Sequence, residues 1–140
     1  MRIISGKFRT RLIKTPRNNS IRPTSDRARE MIFNTINSLL IKDKKKITEQ
    51  SILDFFCGTG ALGIEAISRG AEQVIFIDSS NESLNLCKTN CEKLKIIENI
   101  KIIKLDIIKD KFPKFESKFD LFFCDPPYQT YSIKLIIEKI

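Results

Sequence analysis

The sequence predicts an α/β fold, a Rossmann-like parallel sheet with helices on both faces, and three observations carry that reading. Four apolar runs, beginning near Ile52, Gln73, Ile100 and Phe119, have the length and the β-branched and aromatic content of buried strands. Segments of helical length separate them, so strands and helices alternate as in a doubly wound sheet. Directly after the first run, Gly58, Gly60 and Gly63 fall at the G-x-G-x-x-G spacing of a strand-to-helix turn.

Taken in order, residues 1–5 and 7–14 read as two strand-like stretches forming a hairpin around Ser5-Gly6. Pro16, Asn18, Asn19 and Ser20 mark residues 15–21 as a mobile loop. Thr24 or Ser25 then caps a helix whose apolar positions Ala28, Met31, Ile32, Ile36, Leu39 and Leu40 follow helical spacing. The run Lys42-Asp43-Lys44-Lys45-Lys46 is a solvated linker into the first central strand. Helices are expected over residues 61–69, 82–94 and 131–140, and further strands over 73–78, 100–106 and 119–124, the last buried on both faces. The expected division is a basic arm with its helix, residues 1–46, and a core, residues 47–140.

Glycine lets a backbone turn tightly against a ligand, and the helix that follows offers free N–H groups. Asp78 ends the second strand twenty positions after Gly58, where Rossmann-type folds hold ribose hydroxyls. Asp54, inside the first strand, decides between cofactors: a carboxylate there repels a pyrophosphate but attracts the ammonium and sulfonium of S-adenosylmethionine. Asp106 could accept a hydrogen bond from an adenine amine. The candidate cofactor residues are therefore Asp54, Phe56, Gly58, Thr59, Gly60, Asp78 and Asp106.

The fourth strand closes on Asp125-Pro126-Pro127-Tyr128. Two prolines fix φ and remove two backbone donors, leaving carbonyl acceptors beside a carboxylate and an aromatic ring. Such a corner can hold a flat base by the amine on its edge, and these four are the candidate catalytic residues.

Asp54 to Gly63, Asp78, Asp106 and Asp125 to Tyr128 resemble the motifs of class I S-adenosylmethionine-dependent methyltransferases that modify amino nitrogens. With Met1-Arg2-Ile3-Ile4-Ser5-Gly6-Lys7 and Ile21-Arg22-Pro23-Thr24-Ser25-Asp26-Arg27-Ala28-Arg29-Glu30, the chain resembles the bacterial 16S ribosomal RNA guanine-N2 methyltransferase family along its whole length. The resemblance implies methyl transfer to a guanine amine of 16S rRNA or the small ribosomal subunit. The four-residue corner is shared with DNA adenine, RNA adenine and protein glutamine methyltransferases. A catalytically silent RNA-binding module keeping the fold and the arm is the alternative from another class.

Charge supports a polyanion partner. The whole chain carries a net charge of +8, and residues 1–29 alone hold nine Lys or Arg against Asp26, which leaves the remainder neutral. Arg9, Arg11, Arg22, Arg27 and Arg29 are the candidate phosphate contacts. The four cysteines form no CxxC pair and the chain has no histidine, so no metal site is expected and the thiols read as buried and reduced. No apolar run reaches membrane-spanning length, and a cytoplasmic protein with no membrane partner is expected. A sheet in the order 3-2-1-4 would leave the fourth strand on an open apolar edge. The expectation is a carboxy-terminally incomplete fold, monomeric when full length.

Overall fold

The computed structural model describes residues 1–18 and 23–140. Its centre is a parallel four-stranded sheet in the order β3-β2-β1-β4, built from β1 (Ser51–Phe55), β2 (Gln73–Asp78), β3 (Ile100–Lys104) and β4 (Leu121–Cys124). Helices α2 (Ala61–Ser68), α3 (Asn81–Leu94) and α4 (Ile133–Lys139) follow β1, β2 and β4, while α1 (Asp26–Lys42) precedes the sheet. The expected strand order is present, and strands alternate with helices except between β3 and β4, where the described residues form no helix.

β1 and β2 occupy the centre because β1 is buried throughout and β2 everywhere but its two ends, with apolar Ile52, Leu53, Phe55 and Val74 to Ile77 facing the two core layers. One cluster packs Ile52, Val74 and Phe76 against α2, α3 and α1, and the other face sets Leu53, Phe55, Ile75 and Ile77 against Ile107 and Ile136. β4 does not meet the expectation of burial on both faces. As an edge strand it buries Phe123 but leaves Phe122 47% exposed. A row of rings, Phe55, Phe112, Phe115 and Phe119, packs beneath it at centroid distances of 5.0–5.9 Å.

The amino-terminal stretch differs from the simple hairpin expected. Its pairing is antiparallel, with Ile3 and Ile13 N–H groups donating to the Arg11 and Met1 carbonyls, but it amounts to a single bridge between Arg2 and Leu12. The reversal lies at residues 7–10, not at Ser5-Gly6. Gly6 serves a different purpose: at φ +87 it lies so close to α2 that a Cβ would sit 1.9 Å from the Ser68 carbonyl oxygen. Ile3 and Ile13 belong to the same buried cluster as Ile52 and Ile64, so the core is continuous across the expected boundary at residue 46.

Ser25, rather than Thr24, caps α1, its Oγ accepting from the Ala28 N–H. The buried face of α1 is Arg29, Phe33 and Leu40, whereas Met31 and Leu39 face outward at 62% and 58% exposure. Apolar spacing alone misassigned two positions because a buried arginine holds the place of a hydrophobe.

Candidate functional site

The site forms where the strands end. Phe55 of β1 is in register with Cys124 of β4, so the glycine turn and the Asp125 corner leave adjacent strands at the same level. On the other side of β1, Asp78 leaves β2 beside the same turn.

Asp54 is 2% exposed, and one of its carboxylate oxygens accepts from the Gly63 N–H at 3.0 Å in the first turn of α2. Burial pushes its pKa up to about 7, partly offset by that hydrogen bond and reinforced by the neighbouring charges of Asp78 and Asp125. The turn itself is held by Asp78, whose two oxygens accept from Gly58 N–H at 3.0 Å and Ser80 N–H at 2.9 Å. Each oxygen keeps a second lone pair for a ligand. Phe56 sits in the left-handed region at φ 56, a conformation disfavoured for a bulky residue, and its ring meets Tyr131 at 5.5 Å. Gly60 follows at φ 81, and a Cβ there would meet the Cys87 sulfur at 2.7 Å.

A shallow cleft, open to solvent, runs along these strand ends and is lined by Phe56, Asp78, Ser79, Asp106, Ile107 and Tyr131 among others. Phe56, Asp78 and Asp106 are thus brought together as the sequence suggested. Asp106, however, does not end a strand: β3 stops at Lys104, and Asp106 Oδ1 accepts from the Ile108 and Lys109 N–H groups in a turn. Thr59 is buried behind the turn rather than in the cleft. Tyr131, Ser79 and Ile107 went unnoticed in the sequence. Tyr131 could have been found as the first aromatic past the proline corner, whereas the other two carry no signal.

At the corner, Asp125 is exposed and accepts from the Thr24 hydroxyl at 3.3 Å. Pro126 is buried and Pro127 exposed, and the Pro127 carbonyl accepts from the Thr130 and Tyr131 N–H groups. Tyr128 presents its ring to solvent at 59% exposure, and its hydroxyl pKa is raised by desolvation and by the Asp125 carboxylate.

Of the candidate phosphate contacts, Arg9, Arg11 and Arg27 are exposed, and Arg11 also reaches the Lys93 carbonyl at 3.4 Å. Arg22 lies outside the described residues. Arg29 must be removed from the set. It is 0% exposed, pairs with Glu65 at 3.2 Å and with Asp26, and donates to the Arg2 carbonyl at 2.7 Å. A cation with two carboxylate partners in the core is unavailable to a phosphate. Glu65, which also accepts from Ile4 N–H, Ser5 N–H and Arg69, is the buried hub that docks the amino-terminal stretch, and nothing in the sequence marks it. Among the described residues no cluster of metal-ligating side chains is present and no helix is long and apolar enough to cross a membrane.

The family described as conserved hypothetical protein 95 matches residues 1–140. YlbH of Bacillus subtilis is 34% identical over 142 residues, covering 100% of this chain and 73% of its own. Ribosomal RNA small subunit methyltransferase D of Haemophilus influenzae is 35% identical over 132 residues, 91% of this chain and 64% of that protein. The solved structure of yhhF from Escherichia coli superposes with a TM-score of 0.78 at 27% identity, covering 99% of this chain and 70% of its own.

Proposed function

We propose, from the premise that this chain belongs to the conserved hypothetical protein 95 family, that it transfers a methyl group from S-adenosylmethionine to the exocyclic N2 amine of a guanine in small-subunit ribosomal RNA. The observation that carries this reading is the register of β1 with β4, which sets a carboxylate-lined glycine turn beside the Asp-Pro-Pro-Tyr corner. The Haemophilus influenzae relative named for small-subunit rRNA methylation supports the substrate.

The donor set suits the cofactor. Asp54 is a buried carboxyl group held back from ionisation, and a cationic ligand relieves that. Asp78 retains lone pairs toward the cleft, and Phe56 and Tyr131 give it an apolar wall. S-adenosylmethionine, when bound, supplies an electrophilic methyl group on a sulfonium. The guanine amine is a weak nucleophile because its lone pair is delocalised into the ring, so orientation and hydrogen-bond acceptors give the enzyme most of its leverage. Asp125 and the Pro126 carbonyl accept the amine hydrogens, and Tyr128 stacks on the base. The Thr24 hydroxyl holds the Asp125 carboxylate in place. No strong base is required beforehand, since the amine becomes acidic only as it is methylated. The base must be unpaired or flipped out to reach this corner.

Residues 1–46 serve as the RNA-binding unit and 47–140 as the cofactor unit in this reading. The test is incubation with labelled S-adenosylmethionine and purified small subunits from a strain lacking the endogenous enzyme, followed by nucleoside analysis. N2-methylguanosine is the expected product. Label in adenosine or in ribosomal protein would replace the substrate assignment, and no label at all would leave an RNA-binding module.

A further inference from the structure

Asn90 lies on α3, away from the cleft and 1% exposed, yet its amide ties two functional regions together. Its Oδ1 accepts from the Lys14 N–H at 2.8 Å and its Nδ2 donates to the Lys14 carbonyl at 3.1 Å, as a neighbouring strand would. The same Nδ2 donates to the Thr59 carbonyl at 3.0 Å. That carbonyl belongs to the peptide unit shared with Gly60, whose N–H donates to the Cys57 carbonyl and which caps α2. Both donors and the acceptor of the amide are thus used, with no water needed to complete them.

We propose that Asn90 is a positioning residue through which the Lys14 end of the basic arm, and not its docking at Ser5 and Phe8, sets the affinity of the glycine turn for its cofactor. This rests on the methyltransferase reading above. The peptide plane between Thr59 and Gly60 has one hydrogen bond on each side, from Asn90 and to Cys57, and it fixes the turn in which Gly58 and Gly60 both take positive φ. Without the amide, a buried carbonyl loses its partner and the plane is free to rotate, at the cost of the turn's shape. The arm end of the link is equally specific: Arg11, near the tip of the arm, reaches the Lys93 carbonyl in the last turn of the same helix. A pull on the arm is therefore delivered along α3 to the turn.

The experiment is calorimetric titration of the full chain with S-adenosylmethionine, with thermal unfolding in parallel. Asn90→Ala is expected to weaken binding at least tenfold. Ser68→Ala is the control, because Ser68 Oγ also docks the arm, donating to the Ser5 carbonyl at 2.6 Å and accepting from the Phe8 N–H, but does not touch the turn. It should lower the unfolding temperature and leave the cofactor affinity within twofold. If Asn90→Ala does not fold, Asn90→Asp replaces it: the acceptor for Lys14 remains, the donor to Thr59 is lost, and the same loss of affinity is expected. Unchanged affinity in the folded Asn90 variant, or an equal loss in Ser68→Ala, would overturn the proposal. Failure of the unsubstituted chain to bind S-adenosylmethionine would instead sink the methyltransferase reading.

Discussion

Asp54 is an acid that folding keeps from ionising, and this gives the site a pH signature. In the unfolded chain it ionises near its ordinary 3.8, in the folded chain near 7. Its contribution to stability is therefore full below pH 4 and falls away as pH rises through 7. A cationic ligand has the opposite preference, favouring the carboxylate. Binding of S-adenosylmethionine at pH 6 should release a proton, and affinity should rise with pH until it levels off above about 7. Calorimetry in buffers of different ionisation enthalpy measures the release, and Asp54→Asn should abolish it. A flat pH dependence in the unsubstituted protein would contradict the role. Asp125 plays a different part in the proposed reaction, accepting a hydrogen of the guanine amine, so Asp125→Ala should lower kcat by about a hundredfold, as expected when an interaction of the transition state is removed. Cofactor affinity should change little, and near-normal turnover would remove Asp125 from the chemistry. Both acids were legible in the sequence, because strand ends and glycine spacing fix their place. Glu65 and Asn90 were not, since all their partners but Arg69 are backbone groups and side chains 31 to 76 positions away.

At the scale of elements, the strands and their order could be read from apolar runs because each parallel strand is a short self-contained signal. The helix α1 could be placed but not oriented. Its buried stripe contains Arg29, which hydropathy counts as an outward residue, and the reason is a contact with Glu65 on α2 that no local pattern reveals. That contact makes Arg29 a structural residue. Removing one partner of a buried ion pair leaves the other charge uncompensated, which costs about 3–5 kcal/mol. Arg29→Ala should therefore lower stability by that order in chemical denaturation, and Glu65→Gln should act likewise, leaving Arg29 with Asp26 alone. A stable Arg29→Ala variant that has lost only RNA affinity would restore Arg29 to the arm's contact surface.

For the whole molecule, the question is where the excess positive charge resides after folding. The net charge of +8 belongs to residues 1–29, but Arg29 is turned into the core and Arg2 lies 3.8 Å from Asp26. What remains for a polyanion among the described residues is the exposed set Lys7, Arg9, Arg11, Lys14, Arg17 and Arg27, of which Lys7, Arg9 and Arg11 sit on or beside the stretch that Glu65 and Ser68 hydrogen bonds hold against α2 and Arg27 sits on α1. A cation fixed on a packed scaffold releases a counterion on meeting a phosphate without first losing chain entropy. Replacing Arg9, Arg11 and Arg27 together by Gln should flatten the slope of log affinity against log salt by roughly one unit per lost contact. The exposed Lys44, Lys45 and Lys46 provide a matched control, because their replacement by Gln removes the same charge from the segment entering β1. If location matters, the arginine variant loses RNA affinity and salt dependence while the lysine variant keeps both within about twofold. If net charge alone attracts the RNA, the two variants fall together. Filter binding to small-subunit ribosomal RNA across a salt series separates the outcomes, and S-adenosylmethionine affinity should stay constant in the lysine variant, which leaves both the turn and the Arg11 contact to Lys93 intact.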